Sequence, residues 1–213
     1  MEIKIISDTH NHHHELSNLE CDILIHAGDA CTKGNYSEGL AFLYWFVKQP
    51  AKYKVLVCGN HDSKLKTHEE LIKLARDMGI HVLKDHALEI NGIKLYGVCR
   101  TFWSEDREDI VSVQERKQAW ENIPKDLDIL ITHMPPKFIL DMNQEGVHCG
   151  CSQLTEKVKE VTPTYHVFGH IHECGGKQVQ AYGTTFINVA VKNRQYITVR
   201  GATELFIPPR VVY

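Results

Sequence analysis

The chain has 213 residues, 43% apolar and 24% charged, close to ordinary globular usage, which excludes wholesale disorder. Its 24 basic and 27 acidic residues leave a net charge of −3, which argues against sequence-independent grip on nucleic acid by Lys and Arg. Histidine is in excess at 14 residues, and composition alone does not separate metal binding, proton chemistry and loop decoration as its use.

Residues 2–6 (EIKII) are β-rich and run into Ser7-Asp8, so a strand followed by a loop is expected. A second strand over 22–27 ends at Gly28-Asp29. Residues 37–49 follow as a helix with Leu40, Leu43, Phe46 and Val47 on one face and Pro50 as its stop. Residues 53–58 form a third strand, ending at Gly59-Asn60-His61-Asp62. A Thr67-x-x-Glu70 capping box predicts a helix through Met78, closed by Gly79. Strand and helix alternating at these spacings imply βαβ units and a parallel sheet.

Beyond residue 80 short strands are expected at 80–83, 87–91 and 93–98, with a tight turn at Asn91-Gly92. A second capping box, Ser112-x-x-Glu115, starts a helix that ends before Pro124. Residues 127–132 are a strand running into His133, and 134–151 lack periodicity and read as a long functional loop. A helix near 152–161 precedes a strand at 165–168 and the sequence Gly169-His170-Ile171-His172, after which short strands continue. With no repeat, low-complexity segment or linker, residues 1–213 read as one α/β domain. The first residues are too polar for a secretory signal, and no apolar run reaches the ~18 residues of a membrane helix. Seven cysteines then fit a reduced, cytoplasmic protein.

Five strands end by delivering Asp, Asn or His to the following loop. They deliver Asp8 and His10, then Asp29, then Asn60 and His61, then His133, and last His170 and His172. Ligands bind beyond the carboxyl ends of parallel strands, so these tips should converge. Extended backbone would turn each i, i+2 pair to one side. Carboxylate, imidazole and one amide oxygen, without thiolate, suit Mn, Fe or Zn better than calcium. Even with His61 left aside, the seven other candidates exceed the three or four ligands of a single catalytic zinc, so two ions sharing one carboxylate fit better.

The blocks Asp8-x-His10, Gly28-Asp29, Gly59-Asn60-His61-Asp62, Thr132-His133 and Gly169-His170-x-His172 resemble the calcineurin-like metallophosphoesterases, in that family's order. The segments around Gly150-Cys151, 166–173 and 184–190 resemble its metallophosphoesterase-domain (MPPED) branch, grouped with class III cyclic nucleotide phosphodiesterases. The resemblance implies a four-layer αββα sandwich of two mixed β-sheets flanked by helices. It implies Asp8, His10 and His172 on one metal, Asn60, His133 and His170 on a second, and Asp29 bridging them. His61 would stand beside the leaving-group oxygen. Two divalent ions, Mn²⁺ first with Fe or Zn as alternatives, would acidify a bridging water to hydroxide for in-line attack on a phosphomonoester or phosphodiester, with protonated His61 assisting departure. Small or cyclic nucleotides are the leading substrates. A polynucleotide end-processing phosphatase or nuclease and a non-catalytic metal-site scaffold are the alternatives.

The resemblance has one gap. The family's longer G-D-x-x-D-R-G block reads Gly28-Asp29-Ala30-Cys31-Thr32-Lys33-Gly34 here, which leaves the group that orients His61 open, Asp62 being its neighbour. The absent Arg argues against a protein Ser/Thr phosphatase. Outside the blocks, His12-His13-His14 reads as a solvated loop. His148, Cys149, Cys151 and Cys174 lack ordinary zinc spacing and read as idle thiols and a loop imidazole, while Cys58 and Cys99 close apolar strands. Arg100 and Trp103 read as hairpin-loop residues, with a base-stacking pocket as the alternative, and residues 206–213 either cover a partner or close a sheet.

Overall fold

A computed structural model describes residues 1–101 and 112–208. In chain order they form β1 (Glu2–Ile6), β2 (Cys21–Ala27), α1 (Tyr36–Val47), β3 (Ala51–Val57), α2 (Ser63–Thr67), α3 (Glu69–Asp77), β4 (Ile80–Val82), β5 (His86–Ile90) and β6 (Ile93–Val98). There follow α4 (Val113–Glu121), β7 (Ile129–Thr132), α5 (Ser152–Val161), β8 (Tyr165–Phe168), β9 (Gln178–Ala181), β10 (Thr184–Asn188) and β11 (Thr203–Phe206). Trp103 and residues 209–213 lie outside the described residues.

One sheet has the order β11-β1-β2-β3-β4, the other β5-β6-β7-β8-β10-β9. The central strands of both are parallel, and β11, β5 and β9 pair antiparallel at or beside the edges. Strand periodicity separates the layers. Leu95, Ile129, Ile131, Val167 and Ile187 of the second sheet share one buried cluster with Ile3, Ile5, Ile23, Ile25, Val55 and Val57 of the first. Their strand neighbours Tyr96, Val98, Leu130, Phe168 and Phe186 face the opposite way and pack with Trp120 of α4 and Leu154 and Val158 of α5. Phe42, Leu43 and Phe46 of α1, with Leu71 and Ala75 of α3, cover the first sheet. The result is two mixed sheets flanked by helices. Among the described residues no helix is long and apolar enough to cross a membrane.

Two local expectations change. The Thr67/Glu70 capping box does not form. Thr67 ends α2, where its hydroxyl donates to the Ser63 carbonyl, and His68 is the residue before α3. A helical turn beginning at Ser63 takes Thr67 before it can serve as a cap. His13 is not solvated either. It is buried against Trp45 and Phe42 of α1, while His12 stays exposed and pairs with Glu15. The Ser112/Glu115 box is present with both of its reciprocal bonds. The loop over 134–151 is organised by buried Asp141, which accepts from the Phe138 and Gly150 amides and from His148 Nδ1.

Candidate metal centre

The carboxyl ends of β1, β2, β3, β7 and β8 meet at one end of the two sheets, so residues far apart in sequence become neighbours. His133 Nε2 lies 3.1 Å from Asp29 Oδ2 and 3.9 Å from Asp8 Oδ1. His172 Nε2 lies 3.3 Å from Asp8 Oδ1, and His10 Nε2 lies 3.8 Å from Asp29 Oδ2. Three sets have ligand atoms mutually within 4.8 Å: Asp8, His10 and His172; Asp29, His133 and His170; and His10, Asp29 and His61. Asp29 belongs to two of them, with Oδ2 between His10 and His133 and Oδ1 accepting from the His61 amide.

The route by which the i, i+2 pairs converge differs from the extended backbone expected above. Asp8 (φ 57°) and His10 (φ 42°) are both left-handed, as are Asp29 (φ 57°) and His170 (φ 68°), and His172 starts a short 3-10 turn. A left-handed residue reverses the chain at the strand end and places its side chain inward, at a steric cost that persists only where surroundings over-determine it. The surroundings are tight. A Cβ on Gly59 would fall 2.1 Å from Asp29 Oδ1, and one on Gly169 would fall 2.1 Å from Asp8 Oδ2.

The rings share one orientation. His10 Nδ1 faces the Cys31 carbonyl, His133 Nδ1 the Ala27 carbonyl, and His172 Nδ1 the Asn193 carbonyl, at 2.9–3.1 Å. Each Nδ1–H donated to a carbonyl turns Nε2 inward, the arrangement by which proteins orient metal-binding histidines. The Nε2 atoms of His10 and His133 and Oδ1 of Asn60 are buried without a hydrogen-bond partner. The 3.1 Å approach of His133 to Asp29 is close in distance yet not aligned as a bond. Buried polar atoms without partners are rare in folded proteins, and a cation would satisfy these. The residues present therefore fit divalent ions.

Electrostatics agree. Burial opposes ionisation of Asp8 and Asp29, yet the facing imidazoles, His133 foremost, outweigh it and hold both carboxyls below their ordinary range. Burial pushes His10 and His170 down to about 4, so both are neutral donors at pH 7. Burial also acts on His133, but Asp29 and Asp8 overcome it and raise that ring to about 9. A dication held by His133 would take the place of that proton.

His61 and Asp62 part company. Asp62 is buried and turned to backbone, accepting from the amides of Asp29, Gly59 and Cys31 at 2.8–2.9 Å. The partner of His61 Nδ1 is instead the Thr32 carbonyl, at 2.6 Å. Backbone thus fills the place that the missing acid of the longer block would take, which no residue type announces. Tyr196 also escaped the sequence reading. Its half-exposed ring packs 4.8 Å from His10 and 5.2 Å from His172, carried by a turn in which Asn193 Oδ1 accepts from the Gln195 and Ile197 amides. Among the described residues His148, Cys149, Cys151 and Cys174 do not gather as metal ligands, and Arg100 is held by Asp85.

Residues 1–174 match the calcineurin-like phosphoesterase family. The chain belongs to that family. As a calcineurin-like phosphoesterase it is a metal-dependent phosphoric ester hydrolase. It is 32% identical over 231 residues to human metallophosphoesterase domain-containing protein 1, covering 95% of this chain and 70% of that protein. It is 32% identical over 210 residues to the UPF0046 protein K07C11.7 of Caenorhabditis elegans, covering 91% of this chain and 71% of that one. These relatives are consistent with the MPPED branch. The fold is also that of phosphopantetheinyl hydrolase (PptH) from Mycobacterium tuberculosis, with TM-score 0.64 over 99% of this chain and 98% of that one, at 14% identity.

Proposed function

We infer that this phosphoesterase, acting as one domain, cleaves small phosphomonoesters or phosphodiesters at a dinuclear centre, with nucleotides, cyclic ones included, as the leading substrates. Asp8, His10 and His172 would hold one ion, Asn60, His133 and His170 the other, with Asp29 shared. The observation that carries this is Asp29 itself, whose Oδ2 lies between His10 of one ligand set and His133 of the other. When bound, two divalent ions, Mn²⁺ first, would supply Lewis acidity that activates water and neutralises phosphoryl oxygens.

The chain's own residues do the rest. Asp8 and Asp29, held ionised, keep the floor negative and attract cations. The Thr32 carbonyl accepts from Nδ1–H of His61, which leaves Nε2 as the atom that would pass a proton to the departing oxygen. Tyr196, beside His10 and His172, offers an aromatic wall to a flat leaving group, which favours a nucleotide over a small sugar ester. The free thiols of Cys21, Cys31, Cys58, Cys99 and Cys174 suit a reducing, cytoplasmic setting.

The test is a Mn²⁺-loaded assay over bis-p-nitrophenyl phosphate, nucleoside monophosphates, cyclic nucleotides and sugar phosphates. Turnover of the generic ester with preference for a nucleotide is expected. Metal-replete protein that turns over none of them would overturn the reading in favour of a binding scaffold.

A further inference from the structure

Away from the metal centre, the chain passes from one sheet to the other between β4 and β5, and the open edges of both sheets face each other there. Gly97 of β6 brings the sheets together, since a Cβ at that position would meet Leu83 Cβ at 2.4 Å and Val57 Cγ2 at 2.7 Å. Outside this pinch a cavity of about 520 Å³ remains, within the ~300–1,000 Å³ usual for small-molecule sites. Cys58, Leu65, Ile80, Leu83 and Cys99 are its buried apolar lining. The thiols add no unmet polarity, because Cys99 donates to the Leu83 carbonyl and accepts from the Cys58 amide.

The charged lining has one sign. Lys66, Arg76, His81, Lys84 and His86 border the cavity, and none of its lining residues is acidic. Asp85, between two of them in sequence, turns its carboxylate to Arg100. Lys66 is committed to the Gly59 carbonyl. The Arg76 guanidinium has no ion-pair or hydrogen-bond partner among the described residues, and Lys84 Nζ reaches only the Lys66 carbonyl at 3.5 Å. An apolar interior under unneutralised cations matches a molecule with a hydrocarbon body and an anionic end, and the planar fork of Arg76 suits a carboxylate.

We propose that the cavity between the β4 and β5 edges binds a single-tailed amphipathic anion, its tail among Leu65, Leu83, Cys58 and Cys99 and its acid group on Arg76 and Lys84. The experiment is calorimetric titration of the full chain with decanoate, decanol and decyltrimethylammonium, each below its aggregation concentration. Decanoate is expected to bind at one per chain, about tenfold tighter than decanol, with the cation weakest. Arg76→Gln with Lys84→Gln, both at exposed positions, should bring decanoate to the level of decanol. Leu88→Trp, at a half-buried lining position on the face of β5 shared with inward-facing Leu95, adds bulk to the cavity and should abolish binding of both while leaving metal content unchanged. Decanoate binding no tighter than decanol, or binding that survives Leu88→Trp, would overturn the proposal, the latter by placing the carboxylate elsewhere.

Discussion

Asp62 accepts the amide proton of Asp29 at 2.8 Å, so a residue outside the ligand sets fixes the backbone of the one shared between two of them. The same carboxylate accepts from Gly59 and Cys31, tying the loops after β2 and β3 together. Asp62→Asn puts an amide donor against backbone donors, and an unmet buried donor costs ~1–3 kcal/mol. The variant is expected to melt several degrees lower and to hold less metal, by thermal denaturation and elemental analysis. Unchanged metal content would show that the Asp29 loop holds its shape without Asp62.

Asp29→Ala and His61→Ala should separate binding from chemistry. Asp29→Ala is expected to lose both ions. His61→Ala is expected to keep them while kcat falls about 10²–10⁴-fold on alkyl phosphoesters, the ordinary scale of general acid catalysis. The loss should be much smaller on p-nitrophenyl esters, whose leaving group departs without a proton. An equal loss on both would mean that His61 serves as a ligand in the set it forms with His10 and Asp29.

Tyr196→Ala should raise KM for a nucleotide about tenfold, as stacking on an aromatic side chain contributes about 1–3 kcal/mol per base. Its effect on inorganic or alkyl phosphates should be small. A kcat loss shared by all substrates would place the effect in the packing of His10 and His172 instead.

Two buried histidines predict the acid limb of stability. His166 Nε2 meets the Thr132 hydroxyl, whose own proton goes to the Met134 carbonyl, so His166 must be the donor and its Nδ1 is bare. His26 Nδ1 accepts from the Gly28 amide, so its Nε2 donates to Thr9. Burial holds both at about 3, against 6.5 for a free histidine. The unfolded chain therefore binds protons that the fold refuses, and stability is full above pH 6.5 and lost as pH falls toward 3. Each ring contributes a slope of about 1.4 kcal/mol per pH unit in the middle of that window. Urea titrations of metal-free protein between pH 6.5 and 4.5 should show His166→Gln flattening the decline by about that amount. His133, raised by its carboxylates, stays protonated in both states over most of this window and adds little slope.

The strands and the order of their terminal blocks were legible because short runs rich in β-branched and apolar residues such as 2–6 and 127–132 admit few other structures, and Asp and His after them cannot enter the core unpaired. Local competition was not legible. Thr67 offered a cap that the turn beginning at Ser63 pre-empted. The left-handed backbone of Asp8 and His10 left no trace either, since neither is the glycine that usually marks it. Thr32 acts through its carbonyl, which every residue possesses, and Tyr196 reaches the centre only because a turn more than twenty residues beyond His172 folds back over it.

The ligand-bearing loops come from opposite halves of the sandwich. Asp8, Asp29 and Asn60 follow strands of the first sheet, and His133 and His170 follow strands of the second. Any ion held jointly by Asp29 and His133 would then be a rivet between sheets that otherwise meet through side-chain packing and a few hydrogen bonds such as that of His133 to the Ala27 carbonyl. Metal supply would govern the lifetime of the folded chain as well as its turnover, with a melting temperature that climbs as free metal rises.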